Sequence, residues 1–374
     1  MSHQSSIAID TRWLAGLHSG VAKYLVGLIG ALPEADPALA YHLFGTELPR
    51  RVKGVVHHPF SGYFQWGMEN YWHFLRWPSP RTLGPDPDLW HFPNYSTMPT
   101  RRPYVTTVYD LAFERYPEYT EAETLKRLRK YLPATIAGAE RVLAISEATK
   151  QAVIKQYGTP EDKIVVTHLA ADKRFSRRLS AADRGKVLRR YKLQDPYFLA
   201  VGNLEPRKNL AALFKAYAAQ KGRLDLRLAI VGGQGWYFDE TKRLIGELGI
   251  TDRVTFLGYV PDPDLPALYQ GAEAFVFPSH YEGFGIPILE AMASGTPVVT
   301  SNTSSMPEVY GDAALAVDPE NTAALSKALV RITDEPTLRK ELVAAGRKRV
   351  KRFSWQRTAK ETAAVYRDVL GDSR

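Results

Sequence analysis

Short β-rich runs alternate with helical patterns in two successive series along this chain of 374 residues. In the first half the predicted strands are Ile7–Asp10, Tyr41–Phe44, Leu89–Phe92, Val105–Tyr109, Arg141–Ile145 and Ile164–His168. In the second half they are Tyr197–Val201, Leu226–Val231, Val254–Leu257, Ala274–Phe277 and Pro297–Thr300. Helical patterns such as Asn209–Gln220, Asp239–Leu248 and Ile286–Ser294 fall between them. This alternation predicts an α/β protein with two doubly wound, Rossmann-like domains of parallel strands.

The chain length agrees with two domains, because a single hydrophobic core stops growing at roughly 250–300 residues. Residues 172–195 are polar, strongly basic and poor in β pattern, and they end just before Pro196. We therefore predict an N-terminal domain over residues 1–180 and a C-terminal domain over residues 181–354. A ligand bound between two such domains would lie in a central cleft, at the carboxyl ends of both sheets.

The composition excludes several classes of site. The chain has no cysteine, so it cannot form a disulfide, a thiolate metal site or a cysteine nucleophile. Residues 1–180 hold 22 basic and 17 acidic side chains, and the net charge of the whole chain is +9, so both halves are basic. Charge spread over both halves argues against a nucleic-acid binder, and it leaves anionic small molecules and anionic membrane surfaces as natural partners. Neither a transmembrane run nor a signal peptide is evident, which predicts a cytoplasmic protein.

The segment from Ala274 to Thr300 carries the clearest chemistry. It reads as a strand, a loop with Gly283 and Gly285, a helix and a second strand. Free N–H groups at the start of such a helix can hold a phosphate. Glu282 lies in the loop and Glu290 one turn into the helix, where a carboxylate suits the two hydroxyls of a ribose. The alternative is that Glu282 is a solvated loop residue and Glu290 a surface residue.

Two adjacent cations follow the first strand of the second series. The run YFLAVGNLEPRKNL places Gly202, Arg207 and Lys208 between a strand and a helix. Cations at a helix start oppose the helix dipole, so their position favours a functional role, namely neutralisation of a diphosphate. The run VGGQG, with Gly233, is a second glycine-rich strand end, although a plain tight turn explains it equally well.

The segment from Phe198 to Asp318 resembles the donor half of the family 4 retaining glycosyltransferases, which have the GT-B fold. The pieces that carry the resemblance are VGNLEPRKN, AIVGGQG, VTFLGYV, FVFPSHYEGFGIPILEAMASGTPVV and MPEVYGDAALAVDP. The family signature is two glutamates separated by seven residues, which matches Glu282 and Glu290. The likeness is tight from about residue 197 to 320 and looser before residue 140.

The resemblance implies donor-site roles for these positions. Arg207 and Lys208 would bind the donor diphosphate, Glu282 would lie by the donor sugar, and Glu290 would hold the ribose. Backbone amides of Phe284, Gly285 and Ile286 would lie under the sugar and phosphates. The family transfers a sugar from a nucleotide donor with retention of configuration, by a same-face mechanism, and needs neither a metal nor a further cofactor.

The N-terminal domain is expected to bind the acceptor. A glycine loop with Gly16 and Gly20 resembles the family's first loop, which reaches toward the diphosphate and the acceptor. Tyr109 and Asp110 stand where the family often has His-Asp, so no histidine role carries over. Asp110 either orients a substrate or merely caps the chain after its strand. In the family, the last helix, here residues 355–371, crosses back onto this domain.

Residues 60–79 contain eight aromatic side chains in twenty positions, against 11% in the whole chain. A core or subunit-packing helix explains them, and an interfacial patch that meets a lipid-linked acceptor or the inner membrane is the other interpretation. Within the family, the pattern around VYDLAF and EPRKN is most like bacterial mannosyltransferases of surface polysaccharide assembly. GDP-mannose is therefore the first expected donor and a UDP-sugar the second, with a glycan or lipid-linked acceptor.

Three alternatives stay open at this point. A glycogen-phosphorylase-like enzyme of the same fold would carry pyridoxal phosphate on a lysine. A non-catalytic protein would bind a sugar nucleotide or a glycan without turnover. A nucleic-acid binder is favoured only by the net charge, and steep salt-dependent DNA binding would support it.

Overall fold

A computed structural model describes residues 4–16, 20–49, 51–59, 84–233 and 238–371. The chain divides into two compact units, of which the first comprises Met1–Leu169 with Ser354–Arg374 and the second Ala170–Phe353. The second unit thus begins eleven residues before the predicted boundary at residue 181. The reason is a short 3-10 turn, Lys173–Ser176, whose buried Phe175 ring lies 5.6 Å from the Tyr269 ring of the second unit.

The first unit is built on seven parallel strands in the order β3-β2-β1-β4-β5-β6-β7. The strands are β1 Ser6–Asp10, β2 Ala40–Gly45, β3 Val55–Pro59, β4 Leu89–Phe92, β5 Tyr104–Val108, β6 Arg141–Ala144 and β7 Ile164–Val166. Its helices, up to residue 169, are α1 Gly20–Ala35, α2 Ala112–Arg115, α3 Ala122–Gly138 and α4 Glu147–Tyr157.

The second unit holds six parallel strands in the order β10-β9-β8-β11-β12-β13. They are β8 Tyr197–Val201, β9 Arg227–Val231, β10 Val254–Gly258, β11 Ala272–Phe277, β12 Val298–Ser301 and β13 Leu315–Val317. The helices are α5 Ala181–Arg190, α6 Leu210–Ala218, α7 Phe238–Glu247, α8 Leu265–Gly271, α9 Ile286–Ser294, α10 Met306–Tyr310, α11 Thr322–Asp334 and α12 Pro336–Val350. Both units are α/β and doubly wound, as the alternation predicts.

Two strands escape the sequence prediction. The β3 strand, VVHHP, is an edge strand whose side chains are half-buried or exposed, so it lacks the apolar run that marks the central strands. The β13 strand is only three residues long and also lies at a sheet edge. Conversely, the predicted strand residue Tyr109 lies beyond β5, which ends at Val108. Edge strands carry weak patterns because only one face packs on the core.

Local signals set the ends of the helices that matter for the site. Ser146 caps α4 by accepting a hydrogen bond from the Thr149 N–H at 3.0 Å. Gly295 ends α9 with φ +79°, and Pro287 occupies its first turn. None of the helices in the described ranges is both long and apolar enough to cross a lipid bilayer.

The C-terminal helix, α13 Trp355–Leu370, packs within the first unit. A side chain at Gly27 of α1 would lie 2.2 Å from the Trp355 indole, so the missing Cβ makes room for this ring. Arg367 donates to Asp36 from Nη2 at 2.8 Å. Tyr366 is fully buried and its hydroxyl lies 2.7 Å from His91 Nδ1. The chain therefore completes the core of the first unit with its last helix.

His91 gives this unit a specific sensitivity to acid. Its Nε2 contacts Thr107 Oγ1 at 2.7 Å, and burial lowers its pKa to about 3. The unfolded chain binds a proton below the usual pKa of about 6.5 and the folded chain does not. Between pH 6.5 and 3 this histidine therefore lowers the free energy of unfolding by roughly 1.4 kcal/mol per pH unit of acidification. We expect the difference in stability between pH 7 and pH 5, measured by urea unfolding, to be smaller in His91→Gln than in the wild type. An equal change in stability in the two proteins would show that His91 is not the source of this acid sensitivity.

Candidate functional site

The loops that follow β8 and β11 meet at the carboxyl edge of the second sheet. These two strands are neighbours at the point where the strand order reverses, which is where ligands bind in open α/β sheets. Asn209 Nδ2 donates to the carbonyl oxygens of Pro278 at 3.1 Å and Pro319 at 2.9 Å. The His280 N–H donates to the Arg207 carbonyl at 2.9 Å. Distant parts of the sequence are thereby held against each other.

This junction brings Glu282 between the two predicted cations. Arg207 Nη1 lies 2.9 Å from Glu282 Oε2, and Lys208 Nζ lies 2.7 Å from Oε1. Arg207 Nη1 also donates to the Tyr281 carbonyl at 2.7 Å. The side chains are 19, 15 and 10% exposed for Arg207, Lys208 and Glu282, so water screens the triad only weakly. The interpretation of Glu282 as a solvated loop residue is wrong.

Electrostatics fixes the charge of the Glu282 carboxylate. Burial alone would raise the pKa of Glu282, but Arg207 and Lys208 outweigh burial and lower that pKa to about 2. Burial and the neighbouring Arg207 lower the pKa of Lys208 below its usual value, and Glu282 opposes this shift. At neutral pH Glu282 is therefore an ionised hydrogen-bond acceptor that cannot serve as a general acid.

Glycines allow two loops to approach each other beside Lys208. A side chain at Gly202, which has φ +152°, would lie 3.2 Å from Lys208 Cε. A Cβ at Gly232 would lie 1.9 Å from the Gly202 carbonyl oxygen, so only glycine fits there. The glycine predicted from the sequence is Gly233, where a Cβ would meet nothing nearer than Asn203 at 3.5 Å. Gly232 is thus the residue of this pair on which the packing depends.

The start of α9 lies directly beyond the Glu282 loop. Phe284 is buried, and its ring is 5.7 Å from that of Phe353. Gly285 has φ +108° at the N-terminal cap of the helix, a conformation that favours glycine, and Ile286 begins the helix. The first amides of a helix have no partner one turn earlier, so this turn can bind an anion.

Glu290 is buried in the second turn of α9. It is only 1% exposed, and Tyr269 OH donates to its Oε2 at 2.9 Å. The interpretation of Glu290 as a surface residue is therefore wrong, whereas its role toward a ribose stays a prediction. Burial and the Glu290 carboxylate raise the pKa of Tyr269 well above its usual value, so the tyrosine remains a hydrogen-bond donor at neutral pH.

Two serines that the sequence analysis did not select hold the Glu282 loop from behind. Ser305 is fully buried, and its Oγ lies 2.8 Å from the carbonyl oxygen of Glu282 and 2.9 Å from that of Phe284. Ser304, with φ +51°, accepts a hydrogen bond from the Glu282 N–H at 3.0 Å. The segment between β12 and α10 thus fixes the backbone on both sides of the Glu282 side chain.

We expect Ser305→Ala to lower the free energy of unfolding by about 2 kcal/mol, because two buried carbonyls lose their hydroxyl partner. The loosened loop should also weaken binding of a nucleotide diphosphate, which a calorimetric titration measures. Ser301→Ala is the matched control, since Ser301 is equally buried and its Oγ has no hydrogen-bond partner among the described residues. Equal effects of the two substitutions would contradict the positioning role of Ser305.

The first unit holds the remaining predicted residues. Tyr109 stacks edge-on against Tyr24 with centroids 5.5 Å apart, and Asp110 Oδ1 accepts a hydrogen bond from the Ala112 N–H at 2.9 Å. Asp110 therefore holds the first amide of α2 from the position before Leu111, which is the N-cap residue, while its substrate role stays a prediction. Gly16 ends the 3-10 turn Arg12–Gly16, and Gly20 begins α1.

Parts of the predicted acceptor region lie outside the described residues. These are residues 17–19 of the glycine loop and the aromatic segment 60–79. Among the residues with a described structure, no group of three or more His, Asp or Glu side chains has the geometry of a metal site.

A buried ion pair at the carboxyl end of β1 was not predicted from the sequence. Arg12 Nη2 lies 2.7 Å from Asp10 Oδ2, and the two side chains are 4 and 0% exposed. An Asp and an Arg separated by one residue are common in sequences and do not by themselves predict a buried ion pair. The pair lies where the strand order of the first sheet reverses, between β1 and β4.

Comparison with known proteins agrees with both units. Residues 18–175 match the family model Glycosyltransferase Family 4, and residues 187–349 match Glycosyl transferases group 1. O-antigen chain mannosyltransferase B of Escherichia coli is 36% identical over 282 residues, which cover 75% of this chain and 74% of that protein. The chain belongs to the family 4 glycosyltransferases.

Solved structures show the same architecture at low sequence identity. Sucrose-phosphate synthase from Thermosynechococcus elongatus superposes with a TM-score of 0.76 at 20% identity, over 98% of this chain and 99% of that one. Anabaena Alr3699/HepE, solved with UDP and glucose, gives 0.75 at 20% identity over 97% of this chain and all of that one. The fold is therefore GT-B, and this chain is a glycosyltransferase.

Proposed function

We propose that this chain transfers a mannosyl group from GDP-mannose to a hydroxyl of a glycan or lipid-linked acceptor, with retention and without a metal ion. The observation that carries the proposal is the triad at the carboxyl edge of the second sheet, in which Arg207 and Lys208 converge on one anionic group. The name of the Escherichia coli relative, a mannosyltransferase of O-antigen chains, supports mannose.

The two cations are proposed to stabilise the leaving diphosphate. They hold an anionic side chain, Glu282, at 2.9 and 2.7 Å. A preorganised pair of cations in a poorly hydrated site needs little rearrangement to stabilise charge that develops in the transition state. Arg207 offers a forked contact and Lys208 a point charge, which together could replace a divalent cation on a diphosphate.

The proposed reaction proceeds on one face of the sugar. The bond from the anomeric carbon to the diphosphate oxygen breaks, and its electron pair leaves with the diphosphate. The acceptor oxygen forms the new bond on the same face and gives its proton to a leaving phosphate oxygen. The charge balance therefore closes without a protein base. Glu282, ionised at neutral pH, would accept hydrogen bonds from the sugar hydroxyls. Its negative charge would also stabilise positive charge that develops on the sugar ring.

Other residues of the second unit would hold the rest of the donor. The amides of Phe284, Gly285 and Ile286 would bind the sugar and phosphate oxygens at the start of α9. Glu290, which is buried and accepts a hydrogen bond from Tyr269 OH, would accept the ribose hydroxyls. Gly202 and Gly233 would leave room beside the diphosphate.

The first unit is proposed to bind the acceptor, with Gly16, Gly20, Tyr109 and Asp110 near the reacting hydroxyl. A lipid-linked acceptor would place the protein at the cytoplasmic face of the inner membrane. This part of the proposal rests on the family resemblance and on the name of the O-antigen relative.

A transfer assay with radiolabelled donors tests the proposal. GDP-mannose, UDP-glucose and UDP-N-acetylglucosamine are each offered with a lipid-linked oligosaccharide acceptor, in EDTA and then in Mg²⁺. We expect transfer from GDP-mannose at equal rates in both, and nuclear magnetic resonance should show a product with the donor's anomeric configuration. Transfer only from a UDP-sugar would show that the donor is this UDP-sugar and not GDP-mannose. Strict metal dependence would overturn the leaving-group role of the two cations. Tight nucleotide-sugar binding without turnover of any donor would instead indicate a non-catalytic binding protein.

A further inference from the structure

A second concave site lies in the second unit, at the opposite end of α9 from the Glu282 loop. The cavity measures about 620 Å³. Its walls come from four parts of the chain, namely residues 175–184, Gln270 of α8, the end of α9 and the end of α12. Because a helix rises about 1.5 Å per residue, the length of α9 separates this cavity from the proposed donor site by roughly 12 Å. The two sites therefore share a helix but no lining residue.

The charge of the cavity is one-sided. Arg178, Arg184, Arg347 and Lys351 line it, and no carboxylate does. Arg184 has an ion pair with Asp195 at 2.9 Å, outside the lining. The other three cations make no ion pair within the part of the chain that the structure describes. Several like charges around one hollow repel each other, and a bound anion would remove that repulsion.

Helix electrostatics explains only part of this arrangement. Arg347 and Lys351 stand at the C-terminal end of α12, where cations favourably oppose the helix dipole. Arg178 and Arg184 come from a separate stretch, and Arg178 precedes α5 while Arg184 lies in its first turns. The C-terminal end of α9 also lines the cavity and favours cations there, but it does not by itself explain why Arg178 and Arg184 face the same hollow as the first pair. Their convergence from different elements is what a binding site for an anion needs.

We propose that this cavity binds a soluble phosphorylated small molecule through its phosphate groups. Arginine forks match the geometry of phosphate oxygens, and three of the four cations are arginines. The volume falls within the roughly 300–1,000 Å³ of small-molecule sites. Concavity favours a compact ligand over a flat bilayer. The buried Phe175 and the aliphatic Val350 add an apolar wall for the rest of the molecule. This inference is independent of the proposed transfer reaction.

Calorimetric titration of the full chain with inorganic pyrophosphate tests the site at constant ionic strength. The titration uses the Lys208→Ala background, so that the proposed donor site contributes little. We expect the double substitution Arg347→Ala with Lys351→Ala to raise the Kd for pyrophosphate at least tenfold. The control is Lys327→Ala with Lys348→Ala, which removes the same charge from exposed positions of the second unit that do not line the cavity. This control should change the Kd less than twofold.

Two results would overturn the proposal. The first is that pyrophosphate does not bind at millimolar concentration, or that both double substitutions raise its Kd equally. Either finding would indicate an ordinary solvated basic surface. The other is cavity-dependent sedimentation with vesicles of phosphatidylcholine and phosphatidylglycerol but not with phosphatidylcholine alone, in the absence of pyrophosphate binding. That result would assign the cations to a membrane surface. Melting curves of the ligand-free variants verify that each is folded, and none of these readouts depends on sugar transfer.

Discussion

Lys208→Ala is expected to lower kcat for sugar transfer roughly 100- to 1,000-fold, the usual cost of removing one preorganised group that stabilises transition-state charge. The fold should survive, because the lysine lies in a loop at the sheet edge and its charge is already costly there. Burial lowers the pKa of Lys208 below its usual value, and Glu282 opposes this shift. The measurement is a steady-state assay beside a melting curve.

Lys215→Ala provides the control, since Lys215 is an exposed lysine on α6, the helix that follows the Lys208 loop. Its kcat should equal that of the wild type. Lys208→Arg should retain part of the rate, because it keeps the charge with a different geometry. Near-full turnover by Lys208→Ala would remove this residue from the proposed mechanism.

Glu282→Gln is expected to separate nucleotide binding from transfer. The substitution leaves Arg207 and Lys208 without their shared carboxylate, and we expect the ligand-free protein to lose about 2 kcal/mol of stability. A fully buried pair would lose more, but these cations keep 19 and 15% exposure. GDP supplies a new anion, so it should raise the melting temperature more in the variant than in the wild type. Transfer should fall at least 100-fold, because the sugar loses an ionised acceptor.

Glu205→Gln is the matched control for this result. Glu205 Oε2 lies 3.5 Å from Arg207 Nη2, so it contacts the same guanidinium more weakly. Its substitution should change the GDP-induced shift and the rate little. If GDP stabilised Glu282→Gln less than the wild type, the two cations would not be the binding site of the diphosphate.

The sequence predicted the fold well where strands are central. The buried apolar run of β11 is a local signal, as are Pro287 and Gly295 at the two ends of α9. Such signals can be recognised without the rest of the chain. The edge strands β3 and β13 were missed because they pack on one side or span three residues. The start of the second unit was misplaced because Phe175 packs on Tyr269, a contact between residues 94 positions apart in the sequence.

The candidate site divides in the same way. Residue types and position alone selected Arg207 and Lys208, since paired cations after a strand are unusual, whereas the role of Glu282 was implied by the family resemblance. The support behind Glu282 could not be predicted, because Ser305 contacts the loop only through backbone carbonyls and its sequence surroundings resemble any polar turn. Gly232 was passed over for the same reason, as its constraint comes from the carbonyl of Gly202 thirty residues earlier.

The sequence by itself determined which chemical groups this protein has and the order in which strands and helices follow one another. Periodicity and helix caps are local, so they need no tertiary contact. Only the tertiary structure decided that β8 and β11 lie side by side, which places Glu282 within 3 Å of two cations 74 and 75 residues away. It also decided the ionisation of that carboxylate. Distance and burial set the electrostatic energies, and neither is a property of a linear sequence.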